Sequence, residues 1–157
     1  SEPGPLGAAL DSPGDTIDVI ADGVHLHRAT VNQLVKAFGP DRVCLVTDAV
    51  TPAGLVSGVF KIGGVEAKLD RGSIRLPDGT IAGSAATMDL VVRNVVTWGV
   101  ATLPEAVTMA SVVPARILGL GNRKGAIAVG YDADILALSA ELAVIKTWAA
   151  GRLVHTR

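Results

Sequence analysis

Apolar positions along the chain follow two spacings, and each spacing predicts a different element. Ile17 to Ala21 has strand composition and is stopped by Asp22-Gly23. From Ala29 to Phe38 the apolar residues Val31, Leu34, Val35 and Phe38 fall at i, i+3, i+4 and i+7, which is one face of a helix. Thr30 is the expected N-terminal cap, and Gly39-Pro40 is a stop signal. Arg42 to Val46 is then a nearly continuous aliphatic run, as in a parallel strand covered on both faces. It ends in Thr47-Asp48-Ala49. Residues 17–48 therefore read as a βαβ unit with polar residues at the carboxyl ends of both strands, the end where α/β folds build their sites.

The flanking stretches differ in texture. Residues 3–16 are rich in Gly, Pro and Asp and predict a loop with at most a short helical turn. From Gly54 to Gly83 short alternating runs are punctuated by Gly63-Gly64 and Asp78-Gly79, which predicts a small antiparallel excursion. Helix returns at Thr87 to Trp98 and at Leu103 to Ala110, where Pro104 occupies a tolerated first-turn position. A shorter helix near Pro114 to Leu118 is expected to end at Gly119. The tail predicts strands at Ala133 to Leu138, Ala143 to Ala149 and Arg152 to His155, the last two joined by a turn at Ala150-Gly151. An eight-stranded α/β barrel needs about 200 residues or more. With 157 residues and two convincing parallel strands, this chain cannot close one alone.

Composition narrows the function classes. Apolar residues make up 49% of the chain but aromatic ones only 3%, so small aliphatic side chains must fill the core. The net charge is −1, from 14 basic and 15 acidic residues without a long run of either sign, which gives no footing for nucleic acid or an anionic membrane. A small anionic substrate needs only a few local donors and remains open. No apolar stretch reaches the roughly 20 residues of a membrane-spanning helix. The N-terminus lacks the order of a signal peptide. Cys44, the single cysteine, sits in the run Val43 to Val46 and reads as a buried thiol. A reducing cytoplasm is the expected location.

Three places can carry chemistry. Asp48, at a strand end, is either a proton-transfer carboxylate or the cap of the next turn. His25 and His27 would share a face if their segment were extended. They could then ligate zinc with Asp22 and Asp48, or serve as a hydrogen-bonding residue and a capping group. Gly83-Ser84 suggests a phosphate loop or nucleophile only weakly, since neither a P-loop nor a G-x-S-x-G elbow is present. Asp132 and Asp134 are expected in a turn that leads into a strand.

In order and spacing, several blocks resemble the N-acetylglucosamine-6-phosphate deacetylases. They are Ile20-Ala21-Asp22-Gly23-Val24-His25, Leu45-Val46-Thr47-Asp48-Ala49, Ile81-Ala82-Gly83-Ser84, Thr87-Met88-Asp89 and Val92-Arg93-Asn94. The tail, with Pro114-Ala115-Arg116 and Gly130-Tyr131-Asp132-Ala133-Asp134, is similar to the wider amidohydrolase superfamily. The resemblance implies an α/β fold: the C-terminal part of a metal-dependent (β/α)8 TIM barrel over residues 1–122, with residues 123–157 as strands of a small β-sandwich. It implies hydrolysis of N-acetylglucosamine 6-phosphate to glucosamine 6-phosphate and acetate. Asp48 would take a proton from metal-bound water and pass it to the departing amine. Asp22, Gly23, Val24 and His25, together with Ile81, Ala82 and Gly83, would contact the sugar phosphate. The divalent metal, zinc or iron, would be held by a Glu and two His that match nothing here. The arginine that the family commonly places before Glu-Pro-Gly is Ser1 in this chain. A C-terminal portion of a homodimeric enzyme is therefore expected, inactive alone and with exposed apolar strand edges and faces.

Overall fold

A computed structural model describes residues 2–51, 53–55, 57–70 and 72–157 of the chain. It begins with a helix where a loop was expected: α1 spans Gly4–Asp11. The helix-breaking residues sit where they do no harm, with Pro3 at the cap and Pro5 in the first turn, and Leu6, Ala8, Ala9 and Leu10 are good helix formers. Arg42 secures its far end. The guanidinium donates to the carbonyls of Ala9 (2.7 Å), Ser12 (2.5 Å) and Asp15 (2.8 Å).

The βαβ unit is present. β1 (Ile17–Ile20) and β2 (Val43–Val46) pair in parallel, with Ile17 opposite Val43 and Ile20 opposite Val46. Between them α2 (Arg28–Phe38) buries Val31, Val35 and Phe38 and ends at Gly39, whose φ of 75° is glycine territory. Its N-cap is His27 rather than Thr30. The imidazole Nδ1 accepts the Ala29 N–H at 3.2 Å, so a ring nitrogen does the work expected of a hydroxyl. One face of the pair is covered, with Val19, Val43 and Leu45 buried in one cluster with helical side chains. On the other face Asp18 is exposed and Ile20 and Val46 are half-buried, and among the described residues each strand keeps an unpaired edge, as the sequence led one to expect.

Four strands follow in sequence order as an antiparallel sheet: β3 (Gly58–Ile62), β4 (Val65–Asp70), β5 (Ser73–Arg75) and β6 (Ile81–Ser84). Gly63 and Gly64 (φ 57° and 84°) form the two-residue turn that the twist of a hairpin favours. A small core of Ala67, Leu69, Ile74 and Ala85 holds the sheet together. Its last strand returns to the βαβ unit, where Ser84 N–H donates to the Asp48 carbonyl (2.9 Å) and Val50 N–H donates to the Ser84 carbonyl (3.0 Å).

α3 (Met88–Thr97) buries Val91, Val92 and Val95 against the parallel pair. The two helices expected after it are one continuous run: α4 (Leu103–Val107), a π-helical turn (Thr108–Val112) and α5 (Val113–Ile117). Pro114 has no N–H to continue the ordinary ladder. The chain absorbs this with a wider turn in which Val113 N–H reaches the Thr108 carbonyl, so the helix continues past the proline. The turn also places Met109 in the core, fully buried.

The C-terminal strands β7 (Ile135–Leu138), β8 (Val144–Ala149) and β9 (Arg152–Thr156) make a second antiparallel sheet, turned at Ala150-Gly151. Asp132 and Asp134 lead into it as expected, ion-paired with Arg123 and Lys124. Between α3, α4, α5 and this sheet runs an apolar groove of about 740 Å³, lined by residues such as Met88, Val92, Val107, Leu136, Leu138 and Val144. Among the described residues no helix is long and apolar enough to cross a membrane.

Candidate active site

The parallel pair ends in two loops that lean on each other. After β1 the chain turns sharply through Asp22-Gly23-Val24-His25. Gly23 has φ 82° and lies against the Trp98 ring, which an added Cβ would meet at 3.4 Å. Asp22 organises this loop: its Oδ1 accepts the backbone N–H of both Val24 and His25, each at 2.9 Å, and its Oδ2 meets His25 Nδ1 at 2.7 Å. The Asp22 side chain is only 2% exposed. Burial raises its pKa, but the His25 and Val24 backbone donors and the His25 ring outweigh that and hold the carboxyl below its ordinary value.

After β2, Asp48 adopts φ 50°, a left-handed conformation that Asp tolerates better than most residues. The next turn is capped by its neighbour, since Ala49 N–H donates to Thr47 Oγ1 at 3.2 Å. The Asp48 carboxylate, 53% exposed, faces His25 instead, with Oδ2 at 3.8 Å from Nε2. Thus the strand-end logic brings Asp22, His25 and Asp48 into one cluster. Gly23 and Val24 belong to the same loop. Of Ile81, Ala82 and Gly83, all on β6, Gly83 (φ 127°) comes up against the Asp48 loop, so close that a Cβ would lie 2.8 Å from Val50 Cγ1 and 3.3 Å from the Asp48 carbonyl oxygen. A cavity of about 390 Å³ adjoins the loops, with Asp22, Val24, Gly54, Leu55, Thr87 and Leu90 in its wall.

Several alternatives read from sequence resolve here. His25 and His27 do not share a face, because residues 22–26 bend rather than extend, and His27 is spent on the α2 cap. Ser84 is fully buried, and its hydroxyl oxygen accepts the Ala86 N–H at 2.7 Å. Cys44 is buried, and burial first, then Asp18, pushes its thiol up, so it stays protonated and inert at neutral pH. Asn94 is the residue whose part sequence reasoning did not assign. Its Nδ2 donates to the Ala21 carbonyl at 2.9 Å and pins the end of β1. A polar residue on the flank of the buried Val91/Val95 face of α3 was the available signal.

The donor set does not amount to a metal centre. Among the described residues no three His, Cys, Asp or Glu side chains are placed to hold a cation. Asp22 is occupied by three donors and His25 Nδ1 by Asp22, which leaves Nε2 and the Asp48 carboxylate, short of the three or four ligands zinc takes.

The model of the amidohydrolase family matches residues 6–154. The chain belongs to the amidohydrolase family, whose members are in general metal-dependent hydrolases. Within it, the relatives matched across nearly the whole chain are amino-sugar-phosphate deacetylases. The chain is 34% identical over 153 residues to N-acetylglucosamine-6-phosphate deacetylase of Vibrio furnissii, covering 98% of this chain and 38% of that protein. A provisionally named N-acetylgalactosamine-6-phosphate deacetylase of Escherichia coli K12 is 37% identical over 152 residues, covering 97% of this chain and 90% of that protein. Among solved structures, an Asp-to-Ala variant of N-acetylglucosamine-6-phosphate deacetylase from Mycobacterium smegmatis, in complex with N-acetylglucosamine 6-phosphate, superposes with a TM-score of 0.88 at 35% identity. That match covers 96% of this chain and 40% of the other. The chain thus spans about two fifths of the Vibrio and Mycobacterium proteins.

Proposed function

We propose that this chain carries the proton-transfer and substrate-contact side of an amino-sugar-phosphate deacetylase site. It would act on the acetamide of N-acetylglucosamine 6-phosphate or a close isomer. The observation that carries the reading is the Asp48 carboxylate at the carboxyl end of β2, facing His25 on the neighbouring strand end at 3.8 Å. Asp48 is exposed enough to reach a ligand, and its backbone is braced by the bond from Ser84 N–H. In this reading it takes a proton from the attacking water and returns it to the departing amine, work for which a positioned carboxylate is suited. His25 Nε2 contacts the sugar phosphate, the backbone of Gly23 and Val24 shapes its side of the site, and Ile81 to Gly83 close over it. The cavity beside the loops has the size of a small-ligand site and meets this reading at Asp22 and Val24, while His25 and Asp48 lie outside its lining.

The reading also takes residues 1–122 as part of a TIM-barrel catalytic unit and 123–157 as strands of a sandwich-like unit. It gives no metal-activation step to this chain, because its donors do not form a metal site. Hydrolysis then requires ligands from further chain or another subunit.

Two measurements test this. The chain alone, supplied with zinc and N-acetylglucosamine 6-phosphate, is expected to release no acetate and hold no stoichiometric metal. Placed in the Mycobacterium smegmatis enzyme in lieu of the matched two fifths, it should restore acetate release, and Asp48→Asn should lower kcat by about 100-fold or more. A folded, metal-loaded chimera that is inactive, or whose turnover survives Asp48→Asn, would sink the proposal.

A further inference from the structure

We propose that Asp22 is a positioning residue: it holds His25 with Nδ1 protonated, so that Nε2 is the one ring atom whose hydrogen-bonding character can change toward a ligand. This rests on the reading above that His25 faces the substrate, and it moves Asp22 from the contact surface to the support behind it.

The geometry leaves Asp22 little else to do. A carboxylate this deeply buried must be matched by donors, and here there are three, two backbone N–H groups on Oδ1 and the imidazole on Oδ2. None of its oxygens faces an unmet neighbour. A lone pair on Nδ1 at 2.7 Å from a carboxylate oxygen would be repelled, so Nδ1 carries the hydrogen. A neutral imidazole has one N–H. Neutral His25 therefore presents a lone pair at Nε2, and protonated His25 presents an N–H there, while Nδ1 is the same in both states. That variable position is the one that faces Asp48 Oδ2. Asp22 thus sets tautomer and ring orientation together, as the carboxylate behind a working histidine does elsewhere. The loop that carries both residues is fixed independently, by the Asn94 amide on the Ala21 carbonyl and by Trp98 against Gly23.

The test is long-range ¹H–¹⁵N correlation on the ¹⁵N-labelled chain, at a pH where the ring is neutral. Wild-type His25 should show Nδ1–H favoured over Nε2–H by about tenfold or more, as a charge-assisted bond of roughly 1.5–3 kcal/mol requires. Asp22→Asn keeps Oδ1 for the two backbone donors but turns Oδ2 into an NH₂ donor facing the ring. Nδ1 must then accept, and the preference should invert to Nε2–H. A wild-type ring with Nε2–H overturns the proposal without any variant. So does an unchanged tautomer in an Asp22→Asn chain whose backbone amide spectrum matches wild type. Titration with N-acetylglucosamine 6-phosphate separates this from the functional reading. A locked Nδ1–H ring that ignores the sugar phosphate leaves the lock standing and removes the substrate. A ring that responds to the sugar phosphate without the lock does the reverse.

Discussion

Because Asp22 accepts three hydrogen bonds while 2% exposed, its ionised form is favoured in the fold, and stability acquires an acid limit at this residue. The folded carboxyl titrates below its ordinary value of 3.8, so on acidification the unfolded chain takes up the proton first. Its contribution is complete above the ordinary carboxylate range and is lost as pH falls through the folded value. Urea midpoints of the wild-type chain should therefore decline between roughly pH 5 and 2 more steeply than those of Asp22→Asn. Parallel curves would show that the loop bonds do not favour the charged form. At this scale the sequence was informative about where chemistry gathers and less so about who does what. Asp48 and His25 were readable because strand ends in α/β folds collect polar residues. The partnership of Asp22 with His25 was hidden, because it is made by a turn at i and i+3 and not by extended alternation. Of the two readings open for His25 and His27, a shared face in an extended segment or a capping role, the bend after β1 leaves His27 with the capping role.

At the scale of elements, the junction between β6 and the Asp48 loop is a close approach of backbone to side chain. Gly83→Ala would combine a left-handed φ with a Cβ 2.8 Å from Val50, and should destabilise the chain by about 1–3 kcal/mol. Thermal melts would measure it, and a neutral substitution would mean that β6 yields without effort. Periodicity revealed α2, α3, the hairpins and the parallel pair, since each has a clear apolar stripe or turn signal. It missed α1, whose prolines and glycines look like loop until their place in the first turn is known. It also split the 103–117 helix at Pro114, because a π-helical turn leaves no mark in a pattern of apolar spacing.

For the whole molecule, helices cover one face of the β1–β2 pair, while its other face, with Ile20 and Val46 half-buried, and its two outer edges fit the sequence expectation of exposed strand surface. The groove beside β7 and β8 stays open, and Ile127, Val129 and Leu118 are among the most exposed large aliphatics (85%, 106% and 71%). Surface of this kind drives association. Sedimentation of the chain should show concentration-dependent oligomers, and a monodisperse monomer that melts cooperatively would contradict this. Sequence could not locate this surface, because whether an aliphatic is covered depends on which elements meet. The Asp22–His25–Asp48 cluster has a different relation to the rest of the chain. The contacts that build it, from β1 through the β6 junction to Asn94 and the Trp98 ring against Gly23, lie within one contiguous stretch, residues 17–98. None of these closures waits on a residue of the C-terminal sheet. During synthesis this cluster can therefore take shape before β7 to β9 leave the ribosome, so faults in the C-terminal sheet should affect the chain's solubility sooner than its chemistry.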